Sequence, residues 1–277
     1  MAGIDSHQHF WNFDPVIHSW INDEMSVIQR DFLPADIQPL LQKNNFEGSV
    51  LVQVNQSEKE NDFFLQLASE NDFIKGVVGW IDLLADNAGK RLEYYSTVKK
   101  MKGFRHILQG EPDEQFMLRE KFKKGISLLN KYNFTYDVLV FPNHLKYAKQ
   151  LINEFPEQKF VIDHLAKPYI KDKQIGEWKN GIEAIAEHEN VYCKISGMVT
   201  EADWKHWERK DFIPYIDAVV ESFGTGRIMF GSDWPVCLVA ASYAEVLGIV
   251  QDYFSSFSKG EQENFFRNNA IKFYNLV

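Results

Sequence analysis

The chain is poor in cysteine: among 277 residues only Cys193 and Cys237 are present. Two cysteines in a chain this long exclude a disulfide framework and point to a reducing compartment, the cytoplasm. No run approaches the roughly 18 uninterrupted apolar residues of a membrane-spanning helix, so no membrane partner is expected. The opening "MAGIDSHQHF" has neither a basic segment nor an apolar one, so no signal peptide is read there. Positive charge is also in deficit. Thirty Lys and Arg against 39 Asp and Glu leave a net charge of −9, which excludes the basic footprint of a nucleic-acid binder. Several catalytic signatures are missing: GxSxG, GxxxxGK[ST], HExxH and CxxC. Low-complexity runs, internal repeats and Gly/Ser linkers are missing too, so residues 1–277 read as one domain.

What the chain does have is alternation. Eight short strand-like runs occur at 3–10, 46–55, 74–83, 101–108, 134–141, 159–166, 190–197 and 227–234. Several are nearly continuous apolar or β-branched stretches, the pattern of strands covered on both faces of a parallel sheet. Helix-like periodicity lies between them at 60–71, 114–132, 144–155, 181–188 and 212–223. Asn143 is positioned to cap the helix over 144–155, and Pro214 suits a first helical turn. Eight strand–helix alternations predict an α/β chain folded as a (β/α)8 barrel. The rival, an open doubly wound sheet, usually carries a glycine-rich turn after its first strand, and "SHQHFWNFD" has no glycine.

In a barrel the C-terminal strand ends converge on one mouth, and the loops that follow them build the active face. Ionisable residues recur at those ends: His7 and His9, Arg105 and His106, His164, Lys194, and Asp233. Residues i and i+2 of a strand share a face, so His7 and His9 both project into the mouth. Three uses remain open for the pair: holding a metal, holding a substrate oxygen, or structural hydrogen bonding. Asp233 in "FGSDWPV" follows the last strand, beside the first, where a carboxylate can ligate a cation or take a proton from water. By the same alternation Asp163 points away from His164, and Arg105 and His106 point to opposite sides. Lys194 is read either as a group reaching the substrate or as a lysine snorkelling to solvent. Trp11, Trp80, Trp204, Trp207 and Trp234 fall in loops or near strand ends. Core packing accounts for any one of them, but together they suggest a wall for an apolar ring face. Gln53 is a further candidate for holding substrate hydroxyls. The loops 10–33 and 198–209 are long enough to serve as lids or walls.

Taken in order, "IDSHQHFW", "GFRHILQ", "DHLAKP", "CKISGMVTEADW" and "FGSDWPVC" resemble the lactonase branch of the amidohydrolase superfamily. The likeness is to sugar-lactone hydrolases of the L-fuconolactonase and L-rhamnonolactonase type. It spans residues 4–237, and "NNAIKFY" (268–274) resembles the closing helix of that family. The resemblance implies a distorted barrel that hydrolyses the cyclic ester of a sugar acid in carbohydrate metabolism such as fucose degradation. It assigns His7 and His9 to the first-strand metal pair and Asp233 to the water-activating aspartate. It assigns His164, Arg105 and His106 to substrate- and carbonyl-facing positions, while Gln53, Trp11, Trp80, Trp204 and Lys194 remain the candidates for substrate contact. One departure matters. The fifth strand, "TYDVLVF", has no histidine or lysine, and its Asp137 lies mid-strand. That removes the case for two metals. It leaves at most one Zn²⁺, at His7, His9 and Asp233 with help from His164, for an ester reactive enough not to require it. A metal-dependent decarboxylase and a non-catalytic sugar-acid binder are the competing readings.

Overall fold

A computed structural model describes residues 2–276. Eight parallel strands follow one another around a single sheet in sequence order. They are β1 (Gly3–Gln8), β2 (Phe46–Val52), β3 (Ile74–Gly79), β4 (Met101–His106), β5 (Thr135–Val138), β6 (Phe160–Ile162), β7 (Val191–Ile195) and β8 (Ile228–Phe230). Each lies within a run predicted from sequence, and each is shorter than that run. The barrel closes without a regular β8–β1 ladder. Instead, the chain just after β8 bonds to β1: Asp233 N–H donates to His7 O (2.9 Å) and His9 N–H to Trp234 O (2.7 Å). Asp5 Oδ1 accepts from Ser232 N–H at 2.9 Å along the same seam. This is the expected distorted (β/α)8 barrel, and its seam sets Asp233 against the histidine strand.

Helices cover the outside because their apolar residues recur every three to four positions. Glu120–Leu129 buries Phe122, Gly125, Ile126 and Leu129, and Leu145–Glu154 buries Leu145, Ala148, Leu151 and Ile152. The region 114–132 is broken: short 3₁₀ turns flank the central helix at Phe116–Leu118 and Asn130–Tyr132. Asn143 does not cap the next helix. Its side-chain amide donates to Glu114 Oε1 at 2.7 Å, and the turn begins at Pro142. The helix predicted over 212–223 starts earlier, at Arg209, so Pro214 lies inside it. Helices at Pro34–Lys43, Glu58–Glu70, Ala88–Ser96, Gly176–Ala186 and Tyr243–Phe254 complete the outer layer. Among the described residues, no helix is long and apolar enough to cross a membrane.

The barrel interior has two levels. The lower one is apolar: Ile4, Val50, Val78, Val161, Tyr192 and Met229 pack against Phe273 and Tyr274 of the last helix, Asn269–Tyr274. Two residues further along their strands the inward positions turn polar. Val161 is followed by Asp163 and Tyr192 by Lys194, as the two-residue period of a strand requires.

Candidate active site

The polar level opens upward into a cleft of about 450 Å³ at the C-terminal mouth. Its floor carries His9, Arg105, His164 and Asp233, and its wall includes Lys167 and Trp204. Backbone irregularity aims two of these groups. Residues His164 to Lys167 all have positive φ (53°, 54°, 56° and 50°), and Asp233 has φ 57°. The left-handed region is unfavourable for side-chain-bearing residues, roughly 1–2 kcal/mol each, and such strain collects at functional sites. It turns His164 into the mouth. Because the chain leaves β6 this way, Asp163 and His164 both face the barrel interior, which corrects the simple alternation expected from sequence. Gly197, at φ 61°, leaves room for the imidazole: a Cβ there would lie 2.6 Å from His164 Nδ1.

Asp233 Oδ1 lies 3.3 Å from His9 Nε2, 3.8 Å from His164 Nε2 and 3.9 Å from His7 Nε2. His7 Nε2 and His9 Nε2 are 3.2 Å apart. His9 Nδ1 donates to the Val52 carbonyl at 2.7 Å, so in the neutral ring Nε2 is a bare lone pair. That lone pair faces a carboxylate oxygen at 3.3 Å. Two acceptors so close call for a proton or a cation between them. Ligand atoms of His7, His164 and Asp233 all lie within 4.8 Å of one another, so the group can hold a metal ion. Three imidazoles and one carboxylate fit a nitrogen-preferring dication.

Beneath the floor lies a buried charged layer, which Arg105 of the floor joins. Arg105 donates through Nε to Gln53 Oε1 (2.9 Å) and through Nη1 to Asp163 Oδ2 (2.9 Å). A short hydrogen bond joins Arg105 Nη2 to the Gln53 carbonyl. Lys194 Nζ donates to Asp137 Oδ2 (2.6 Å) and His7 Nδ1 (3.0 Å), and pairs with Asp163 Oδ1 at 2.9 Å. Tyr274, from the last helix, donates to Asp137 Oδ2 at 2.7 Å.

These contacts set the charges. Burial pushes His164 down to about 4 against the attraction of Asp233, so it is neutral at physiological pH. Burial, then the Lys194 ammonium, hold His7 well below the ordinary imidazole range. Burial works to raise Asp233, but His164, His9 and Lys167 outweigh it and hold the carboxyl below its usual value. Burial likewise opposes ionisation of Asp163, yet Lys194, His7 and Arg105 hold it well below the carboxylate range. Asp137 is raised by burial to about 6 in spite of Lys194. At neutral pH the mouth therefore presents an ionised Asp233 beside a neutral His164.

The structure brings together His7, His9, Arg105, His164 and Asp233, and moves other candidates away from the cleft. His106 points outward. Its Nε2 pairs with Glu111 Oε1 at 2.6 Å and its ring stacks on Phe116. Trp80 follows it, donating to His106 Nδ1 at 3.3 Å. Gln53 is buried under Arg105 and holds that guanidinium rather than the cleft. Lys194 neither reaches the cleft nor snorkels to solvent, because the two aspartates and His7 satisfy it inside the barrel. Trp11 packs edge-on against Phe32, and Trp234 does the same. Trp207 packs on Phe212. Of the five tryptophans only Trp204 lines the cleft, joined by Trp20, which had not been singled out and comes from the long loop after β1. Lys167 and Glu201, paired across the cleft wall at 3.0 Å, were also missed as site residues. The "HLAKP" motif was the available signal for Lys167.

A closed parallel barrel with a histidine pair on its first strand and an aspartate after its last defines an amidohydrolase-type barrel enzyme. The chain belongs to the amidohydrolase family: residues 4–276 match the family model described as Amidohydrolase. An L-fucono-1,5-lactonase of Burkholderia multivorans is 37% identical over 285 residues, covering 99% of this chain and 96% of that protein. An L-fucono-1,5-lactonase of Burkholderia ambifaria is 33% identical, covering 87% of this chain and 83% of its own length. A crystal structure of an amidohydrolase from Burkholderia multivorans with bound zinc superposes with a TM-score of 0.97 at 36% identity over 100% of both chains.

Proposed function

We propose that this protein hydrolyses the cyclic ester of a sugar acid to the free acid, with L-fucono-1,5-lactone as the leading substrate. The observation that carries the reading is Asp233. Its carboxylate stands on the cleft floor, held ionised, with His9 3.3 Å and His164 3.8 Å away. There it orients a water and takes its proton as the water oxygen attacks the lactone carbonyl. Arg105 and Lys167 border the same cleft and offset the negative charge that develops on the carbonyl oxygen. The C–O bond of the ring then breaks, and the proton passes from Asp233 to the departing oxygen. Trp204 and Trp20 offer flat apolar faces to the sugar ring, and Gln109 and Glu201 offer hydrogen bonds to its hydroxyls.

One Zn²⁺ is the cation we propose for His7, His164 and Asp233, with His9 beside them. Bound there, it would supply positive charge for the carbonyl oxygen and the attacking water. The two cysteines are unpaired and buried, which supports a reducing, cytoplasmic setting.

The test is a pH-indicator assay on L-fucono-, L-rhamnono-, L-galactono- and D-arabinono-lactones, with and without chelator. Turnover well above spontaneous hydrolysis is expected with L-fucono-1,5-lactone. No rate above the blank for any of the four overturns the reading, and binding without turnover would identify a sugar-acid binder.

A further inference from the structure

The layer beneath the cleft holds a second cluster of ligating groups that shares only His7 with the mouth. His7 from β1, Asp137 from β5 and Asp163 just beyond β6 place ligand atoms within 4.8 Å of one another. None of the three is exposed. Lys194 Nζ sits among them, 2.6 Å from Asp137 Oδ2, 2.9 Å from Asp163 Oδ1 and 3.0 Å from His7 Nδ1. We infer that the Lys194 ammonium is the protein's own cation in a site built by His7, Asp137 and Asp163, and that removing it opens this site to a divalent metal.

Two independent observations support this. The first is surplus acceptor capacity. An ammonium has three donors and no more, and Asp137 Oδ1 is left buried without a hydrogen-bond partner. The acceptors around it therefore exceed what the three N–H groups of the lysine can satisfy. The second is charge. Asp137 and Asp163 are balanced by Lys194 and Arg105, which pairs with Asp163 at 2.9 Å. Without Lys194 the layer keeps two carboxylates and one guanidinium in a water-excluded interior, where an uncompensated charge is strongly unfavourable. A divalent ion bound 2.0–2.2 Å from its ligands would draw these groups inward by roughly 0.5–0.9 Å. The lysine thus keeps a metal out of the lower layer and steadies the Nδ1 side of His7, while Nε2 of the same ring faces the mouth.

The experiment uses the full chain as wild type, Lys194→Ala, Lys194→Met and the double variant Lys194→Ala/Asp137→Asn. Each is equilibrated with excess Zn²⁺, freed of unbound metal by gel filtration and analysed for bound zinc and thermal unfolding. Lys194→Ala is expected to bind one zinc per chain more than wild type, and to gain more in Tm on zinc addition. Lys194→Met, which refills the space, and the double variant are expected to match wild type in zinc content. No extra zinc in Lys194→Ala, or extra zinc that survives Asp137→Asn, overturns the inference. So does a Lys194→Ala chain that stays unfolded in excess zinc, since the ion should restore the missing charge. The readout is a difference from wild type, so it stands whatever metal the mouth holds and whatever the substrate proves to be.

Discussion

Gly197→Ala probes how the fold seats His164. Gly197 has φ 61°, and an added Cβ would lie 2.6 Å from His164 Nδ1, 2.8 Å from Cγ and 3.0 Å from Cβ. The ring cannot easily withdraw, because His164 is itself held at φ 53° and its Nδ1 is bonded to Ser196 Oγ at 2.8 Å. Placing alanine in the left-handed region costs about 1 kcal/mol. Losing the Ser196 hydrogen bond costs about 1 kcal/mol more, and overpacking adds roughly 1–3 kcal/mol. Part of this is relieved by backbone shift, leaving a loss of about 2–4 kcal/mol. At roughly 2–4 °C per kcal/mol for a chain of this size, Tm should fall by about 5–15 °C. The imidazole would shift by the order of 1 Å, and displacement on that scale slows catalysis about 100-fold. Thermal unfolding and initial rates of lactone hydrolysis, measured on the same preparation, test both numbers. Wild-type Tm together with wild-type kcat/KM would refute the claim that Gly197 makes room for a functional His164.

Two further predictions concern charge. His164 titrates near 4 in the fold against 6.5 ordinarily, so the unfolded chain takes up its proton first as the pH falls. The stability it contributes is complete above pH 6.5 and is lost as the pH drops through 4, by about 3 kcal/mol in full. Asp5 and Asp137, both raised to about 6 by burial, act in the opposite sense. The test is therefore a comparison by urea unfolding at pH 7 and pH 4.5. His164→Asn should lose about 2 kcal/mol less than wild type over that interval, and an identical loss would contradict the assignment. Asp163→Asn removes the carboxylate shared by Arg105, Lys194 and His7 and should destabilise the fold by about 3–5 kcal/mol. A change below 1 kcal/mol would show that the buried layer does not depend on it.

Much of the fold was legible because periodicity survives in a barrel. All eight strands lie inside runs whose apolar pattern marked them, and Arg105 and His106 diverge as alternation requires. The failures are local and physical. Alternation holds only while the chain remains extended: Asp163 still follows it inward after Val161, but β6 ends at Ile162 and the left-handed residues that follow turn His164 inward as well. Lys194 was read as a snorkelling or substrate-reaching group because a window around it contains no acid. Its partners Asp137 and Asp163 sit on other strands. The outward-facing His106 was grouped with the mouth because its partner Glu111 comes from the following loop. Trp20 escaped notice among the aromatics of loop 10–33, where only tertiary packing separates a cleft wall from a core residue.

The proposed reaction turns on Asp233 activating the water that opens the lactone. The most direct test is Asp233→Asn with L-fucono-1,5-lactone, following acid release after subtraction of spontaneous hydrolysis. The amide keeps the shape but cannot accept the proton, so kcat should fall by a factor of about 100 to 10,000 with the fold intact. A correctly folded Asp233→Asn protein that turns over at the wild-type rate would contradict the claim.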